Sequence, residues 1–399
     1  MNARLTIVAF LMQTLLAASA AEVLPGPTVT CVGQPDKTKS IPPPKKGRLT
    51  LCAIDLGSNN AKLQVLSMEP GKPLSFKGER QCRAPLGFGA IVFDSATGER
   101  RALPASDTAR LVDVVKEFQR ICTLDKGEML GAEATQWSRD ATNIEDVRKA
   151  VKAATAVDFE VLTPEWEGHF GYVAATRNVP GRFALDPGSN SFQIAWWPQG
   201  AKVARTVSVP FGYVRGAKTY YPADTTSPFE AARAQHAEDL KKRLDDALRA
   251  LEPPSSLAQL KAEIKKGALS PEIFVMGQDG ALQLVVRGEL RDADGRWIGT
   301  TAGYAARVNA EPIVPHESFG EVLALLKPEE IATFLADLAK PSEFSVLRNP
   351  PVRAIYGEKA LANAVLLDVV SRELGVKTIV LVPQEMPAGY ILFKLATGA

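Results

Sequence analysis

Two short stretches carry the residues best suited to chemistry. Residues 52–63 read CAIDLGSNNAKL and residues 186–194 read DPGSNSFQI, so Asp-x-Gly-Ser-Asn occurs twice, each time at the end of an apolar run. A strand ending in Asp-x-Gly places a carboxylate at its tip and frees the backbone to turn tightly. The Ser and Asn that follow add hydroxyl and amide groups, and successive backbone N–H groups point into the concavity. Such a turn can cradle phosphate while its Asp holds a hydrated divalent cation. Asp-Gly and Ser-Asn are also ordinary hairpin residues, so a single copy would carry little weight. Two copies in corresponding places indicate two related halves that grip one group from both sides.

The elements around these turns follow from periodicity. LTLCAID and AKLQVLSM read as strands flanking the first turn, and FALD and FQIAWW as strands flanking the second. DTARLVDVVKEFQRI has helical apolar spacing with Asp107 as its expected cap, and EDVRKAVKAAT is a second helix ahead of the strand FEVLT. A long amphipathic helix, PFEAARAQHAEDLKKRLDDALRAL, is started by Ser227-Pro228 and stopped by Pro253-Pro254. The strand EIFVM leads to Gly277-Gln278-Asp279-Gly280, and the tail holds a helix, EKALANAVLLDVVSRELG, then strands KTIVLV and GYILFK. Strands and helices mix throughout, so the class is α/β.

At 399 residues the chain is too long for one ordinary core, and two domains are expected. An apolar fraction of 46% and a charged fraction of 23% are those of a globular protein, and a net charge of +2 argues against a nucleic-acid surface. The first residues stand apart: Arg4, an apolar run from Leu5 to Ala18, then Ala18-Ser19-Ala20 read as a secretory signal cleaved after Ala20. The run is short for a spanning helix, and no Cys follows it closely, so neither a membrane span after cleavage nor a lipid-modified start is expected. Residues 21–47 form a Pro- and Lys-rich lead-in. The expected compartment is the bacterial periplasm, with full secretion as the alternative. Cys31, Cys52, Cys82 and Cys122 suit that compartment as two disulfides in any of three connectivities, with a buried free thiol at Cys52 as the other reading.

The sequence resembles the exopolyphosphatase/guanosine-pentaphosphate phosphohydrolase (Ppx/GppA) family. AIDLGSNNAKLQVL is similar to its first phosphate motif, and ATQWSRDATN (134–143) to its Ala-Thr-x-x-x-Arg-x-Ala-x-Asn segment. FEVLTPEWEGHFGY (159–172) is similar to Ile-Ser-Gly-x-Glu-Glu-Ala, FALDPGSNSFQI stands at the second phosphate motif, and SVPFGYVR (208–215) resembles Ser-Leu-Pro-Leu-Gly-x-Val-Arg. The resemblance implies two ribonuclease-H-like domains of the actin/Hsp70-like (ASKHA) superfamily with an interdomain cleft. The expected division is 48–180, 181–356 and a completing helix and strands over 357–399.

Roles carry over by position. The resemblance implies that Gly57, Ser58 and Asn59 line the first phosphate turn, and Gly188, Ser189, Asn190 and Ser191 the second. Arg139 would contact a phosphate oxygen. Glu167 falls on the catalytic base that activates water, with Glu165 a nearby competitor. Asp55, Asp186 and Gln193 would hold Mg²⁺, with Mn²⁺ as the alternative. The second motif departs from the family's Asp-x-Gly-Gly-Gly-Ser-x-Glu: Gln193 replaces an acid, and an amide oxygen can ligate but brings no charge. Gly277-Gln278-Asp279-Gly280 replaces a Ser-Gly-Thr turn, and VPQEMPAGYILF (382–393) lacks the usual Arg-Glu. The expected function is an exported Mg²⁺-dependent phosphoanhydride hydrolase acting on polyphosphate or another phosphorylated small molecule. The alternative is a catalytically weakened relative that binds polyphosphate or an envelope partner without turnover. A homodimer is compatible with either. Gly-x₄-Gly-Lys-Ser/Thr, His-Glu-x-x-His and Gly-x-Ser-x-Gly do not occur.

Overall fold

The computed structural model describes residues 30–32, 49–68, 75–94, 97–176, 178–201, 204–221, 229–276, 314–316, 320–322, 324–326, 328–338, 357–382 and 385–397. The expected signal and most of the lead-in, the start of the long helix at Ser227-Pro228 and the segment Gly277–Gly280 lie outside the described residues. The chain forms two compact units: one from Ala21–Ser208, Glu317–Gly320 and Gln384–Ala399, the other from Val209–His316 and Glu321–Pro383.

The first unit is built on a mixed sheet in the order β1-β4-β3-β2-β5-β6. Its strands are β1 (Thr30–Val32), β2 (Leu49–Leu56), β3 (Asn60–Met68), β4 (Ser75–Pro85), β5 (Glu128–Ala134) and β6 (Phe159–Val161). β2, β3 and β4 run antiparallel in succession, while β5 runs parallel to β2 and β6 parallel to β5. Three antiparallel strands followed by two parallel ones is the ribonuclease-H-like arrangement that the resemblance implies. Between the strands lie α1 (Phe88–Val92), α2 (Ala105–Leu124), α3 (Gln136–Asp140), α4 (Ile144–Thr155) and α5 (Pro164–Thr176). Next come β7 (Arg182–Asp186), β8 (Phe192–Trp197) and β9 (Arg205–Val209), side by side in that order with β7 and β8 antiparallel.

The core of this unit is the apolar face that periodicity marks out. Val114, Val115, Phe118 and Ile121 of α2 pack with Ile54, Leu63, Ala132 and Phe159 of the sheet, all buried. Each large side chain so buried stabilises the fold by about 1.5–3 kcal/mol. Asp107 does not cap α2. Pro104 holds the N-cap position, and Asp107 sits within the first turn, paired with Arg110 at 2.7 Å. An acid there still favours the helix, through the partial positive charge of its N-terminus. Cys52 is no free thiol: it is bonded to Cys122, joining β2 to α2. Cys82 is likewise disulfide-bonded, and its register partner on β1 is Cys31.

The other unit contains α6 (Tyr213–Tyr220), α7 (Phe229–Arg249), α8 (Leu257–Lys265), β10 (Glu272–Val275), β11 (Val314–His316), β12 (Gly320–Val322), β13 (Ala324–Leu326), α9 (Pro328–Leu338), α10 (Gly357–Leu374) and β14 (Thr378–Leu381). β14 runs parallel to β10 and antiparallel to β13.

The tail departs from expectation. GYILFK is not a strand: it lies in the helix α11 (Met386–Thr397), which belongs to the first unit. An apolar run of this length reads equally as strand or buried helix. Packing decides it: α11 lies on α5, β2, β3 and β5, so nearly all its faces meet apolar neighbours. Pro387 in the first turn suits a helix start. No helix among the described residues is long and apolar enough to cross a membrane.

Candidate functional site

The two Asp-x-Gly turns share one construction. In the first, Gly57 N–H donates to Asn60 O at 3.0 Å, and that oxygen would sit 2.8 Å from any Cβ placed on Gly57. In the second, Ser191 O presses on Gly188 in the same way, three residues on. A side chain at either glycine would collide with backbone, which cannot move aside. Each turn also sets its Asp beside a partner across the hairpin: Asp55 opposite Lys62, and Asp186 opposite Gln193.

Both turns lie in the first unit, and Gly89 shows how close they come. Its N–H donates to Ser58 O at 2.9 Å, while a Cβ there would collide with the Asn190 amide and sit 3.0 Å from Ser58 Cβ. The loop ahead of it is tied down as well, since Leu86 and Gly87 donate to Asn59 O at 2.7 and 3.1 Å. Phe88 stacks edge-on against Trp137 at 5.1 Å, and Trp137 Nε1 donates to Leu56 O at 2.5 Å. Ser58 and Asn190 are therefore brought together; Ser189 and Asn190 stay partly exposed, while Ser58 and Ser191 are buried.

Glu167 is the fourth residue of α5. Thr163 begins that helix, accepting Glu167 N–H on its carbonyl at 3.0 Å and Trp166 N–H on its hydroxyl at 3.4 Å, with Pro164 in the first position. The Glu167 carboxylate is buried and paired with Arg139 at 2.8 Å. Arg139, on α3, also donates to Leu162 O at 2.5 Å and to Gln136 Oε1 at 2.8 Å. Its fork therefore holds Glu167 rather than standing open. Glu165 is exposed. Burial raises the Glu167 carboxyl above its ordinary range, with Arg139 pulling the other way.

Around Asp55 the charges crowd. Lys62 Nζ lies 3.4 Å from Asp55 Oδ2 and 3.5 Å from Glu385 Oε2, and Arg83 pairs with the other oxygen of Glu385. Burial pushes Asp55 up to about 6, opposed by Lys62 and reinforced by Glu385 and Asp186. Burial pushes Asp186 up to about 7, with Glu167 and Glu385 adding to it and Lys62 opposing. Burial works against the charge on Glu385 too, but Lys62 and Arg83 outweigh it and keep the carboxyl below its usual range. Glu133, beside Asp55 on β5, is fully buried, neither oxygen accepts a hydrogen bond, and burial raises it well above the carboxylate range.

The donor set fits a hard divalent cation. Asp55 Oδ1 and Gln193 Oε1 are buried oxygens that accept no hydrogen bond. Gln193 spends its amide nitrogen on Ser191 Oγ at 3.0 Å and Ser208 Oγ at 3.1 Å, which leaves the oxygen as its free face. Among the described residues no three His, Cys, Asp or Glu side chains converge as a metal cluster. A cation here would thus rely on few protein oxygens and on water and substrate oxygens, as Mg²⁺ readily does.

A pH dependence follows from Asp186. A carboxyl raised in the folded state contributes its stability below the unfolded pKa and loses it as pH rises through the folded one. The window runs from 3.8 to about 7. Asp186→Asn is expected to gain stability relative to the parent across that window and no further above it. Thermal unfolding of both proteins without added metal, from about pH 4 to about pH 8, checks this; a pH-independent difference would overturn it.

Residues 91–266 match the Ppx/GppA phosphatase family. The chain carries a Ppx/GppA domain. The matched stretch takes in Arg139, Glu167 and the second turn, while Asp55, Lys62 and Glu385 lie outside it. A Ppx/GppA family member from Aquifex aeolicus superposes with a TM-score of 0.61 at 20% identity, over 88% of this chain and 99% of that one. An exopolyphosphatase from Cytophaga hutchinsonii gives a TM-score of 0.58 at 14% identity, over 88% and 98%. These likenesses show the fold: α/β, with the two-domain ASKHA-like arrangement of Ppx/GppA proteins. Retrograde regulation protein 2 of Saccharomyces cerevisiae is 27% identical over 177 residues, or 41% of this chain, which spans 29% of that relative's length.

The sequence reading missed Lys62, Arg83, Glu133 and Glu385. Lys62 was open to detection, because a hairpin closed over Gly57–Asn60 sets residue 62 opposite residue 55. Glu385 lies in the stretch 382–393 that was compared with the family's Arg-Glu, but nothing local shows that its acid reaches Lys62 and Arg83, 302 positions from the latter.

Proposed function

We propose that this Ppx/GppA-domain protein is an exported, divalent-cation-dependent phosphoanhydride hydrolase. It removes terminal phosphate from polyphosphate or a related phosphorylated small molecule. The observation that carries this reading is the buried Glu167, held by Arg139 in the same unit as two matching turns that meet over Gly89.

In this reading the turns hold the phosphate chain through backbone N–H groups and the Ser58, Asn59, Ser189, Asn190 and Ser191 side chains. Glu167 takes a proton from a water aligned on the terminal phosphorus. As the water oxygen bonds to phosphorus, the bridging P–O bond breaks; orthophosphate leaves, and the shortened chain departs on its own oxygen. Arg139 fixes the direction of the Glu167 carboxylate and favours its ionised form against the effect of burial. A divalent cation bound near Asp55, Asp186 and Gln193 would neutralise phosphate charge. Most of the rate then comes from positioning and charge, as phosphoryl transfer requires.

Export is supported by the leader and by the Cys52–Cys122 bond in the core, because such bonds persist in oxidising compartments. ATP and guanosine pentaphosphate are poor substrates for that location. One observation favours a second reading: Gln193 is held as an amide by two hydroxyls, so the second turn has one acid fewer. That suits a protein that binds polyphosphate without turnover. Purified protein with Mg²⁺ and long-chain polyphosphate tests both. Release of orthophosphate supports the first reading, binding without release supports the second, and neither would sink both.

A further inference from the structure

Lys62, Arg83 and Glu385 have no part in the reaction drawn above. Lys62 on β3 and Arg83 on β4 are register partners, so two cations stand directly opposite each other across adjacent strands. Like charges so placed repel. Glu385 enters from the residue just before α11, 302 positions from Arg83, and places one carboxylate oxygen on each cation. Its side chain is only 5% exposed, so it is committed to that pair rather than to water. Lys62 is thereby held between two acids, with Asp55 at 3.4 Å and Glu385 at 3.5 Å. A long, flexible ammonium side chain otherwise samples many rotamers at an entropic cost to any single position.

We propose that Glu385 is a positioning residue: buttressed by Arg83, it fixes the Lys62 ammonium against Asp55 at the mouth of the first turn. The inference rests on reading that turn as a phosphate turn, and it adds the device that sets where the turn's own cation stands. Arg83 and Glu385 act through Lys62 and need not touch substrate.

Two measurements test it. Amine acylation followed residue by residue with mass spectrometry reads the accessibility of Lys62 directly. Lys62 is expected to be protected relative to the exposed Lys149, and Glu385→Gln is expected to raise its labelling on the order of tenfold, the scale of one lost hydrogen bond to a charged group. Other lysines should not change. In a double-mutant cycle on phosphate release, Glu385→Gln is expected to lower kcat by a similar factor without raising KM. The same change made in a Lys62→Ala background should cost nothing further. A merely structural Glu385 would lower Tm and active fraction equally in both backgrounds, giving an additive cycle that overturns the proposal. So would Lys62 labelling that Glu385→Gln leaves unaltered. If the parent releases no phosphate, the functional reading has failed, and the labelling still decides the role of Glu385.

Discussion

Glu167→Gln is expected to lower orthophosphate release by roughly 10²–10⁴-fold, the usual range for losing a general base, while the folded protein stays intact. The amide keeps the shape of the carboxylate, and its oxygen can still accept from Arg139, which retains Leu162 O and Gln136 Oε1 as well. The change leaves the Arg139 charge without its acid, so some fall in unfolding temperature is expected, and the rate is compared per folded molecule. Glu165→Gln is the matched control, because Glu165 is exposed on the same helix turn. A Glu167→Gln protein that kept more than about a tenth of the parent rate would remove Glu167 from the base role.

The second large effect is on stability. Joining residues 70 positions apart restricts the unfolded chain, and the chain-entropy relation puts this at about 4 kcal/mol. Both sulfurs are buried, Cys52 on the strand that ends in Asp55 and Cys122 on the helix that covers it. Cys52→Ala/Cys122→Ala is expected to lose about that much in urea unfolding, within the 2–5 kcal/mol typical of native disulfides. A loss below about 1 kcal/mol would show that the bond is incidental. The same reasoning predicts that protein made in a reducing compartment is the weaker form, and that reductant shifts the parent toward the variant.

Both hairpins around the turns were legible in the sequence, because each is a local event: an apolar strand, a glycine turn, a second strand. So were α2, α4 and β6, where period and breakers agree. The order of five motifs carried the family. What stayed hidden depends on distance along the chain. Glu385 lies where the family's Arg-Glu would stand, but its partners Lys62 and Arg83 are far back in the chain, the latter 302 positions away, and no local pattern names them. GYILFK misled because burial on nearly every face erases the periodic signal that separates helix from strand. Gly89 looks unremarkable until Asn190, a hundred positions later, is seen to lean on it. Arg139 was legible by its position as a phosphate contact, but its pairing with Glu167, 28 residues on, was not.

The chain reaches Glu385 late. With α11 it completes a unit whose other residues are mostly finished by Ser208. At about 5–20 residues per second, the intervening stretch takes on the order of ten seconds or more to synthesise. During that interval Lys62 and Arg83 face each other without the acid that reconciles them, and β2, β3 and β5 lack the helix that lies on them. A nascent or half-moved chain therefore has both turns but no settled first turn.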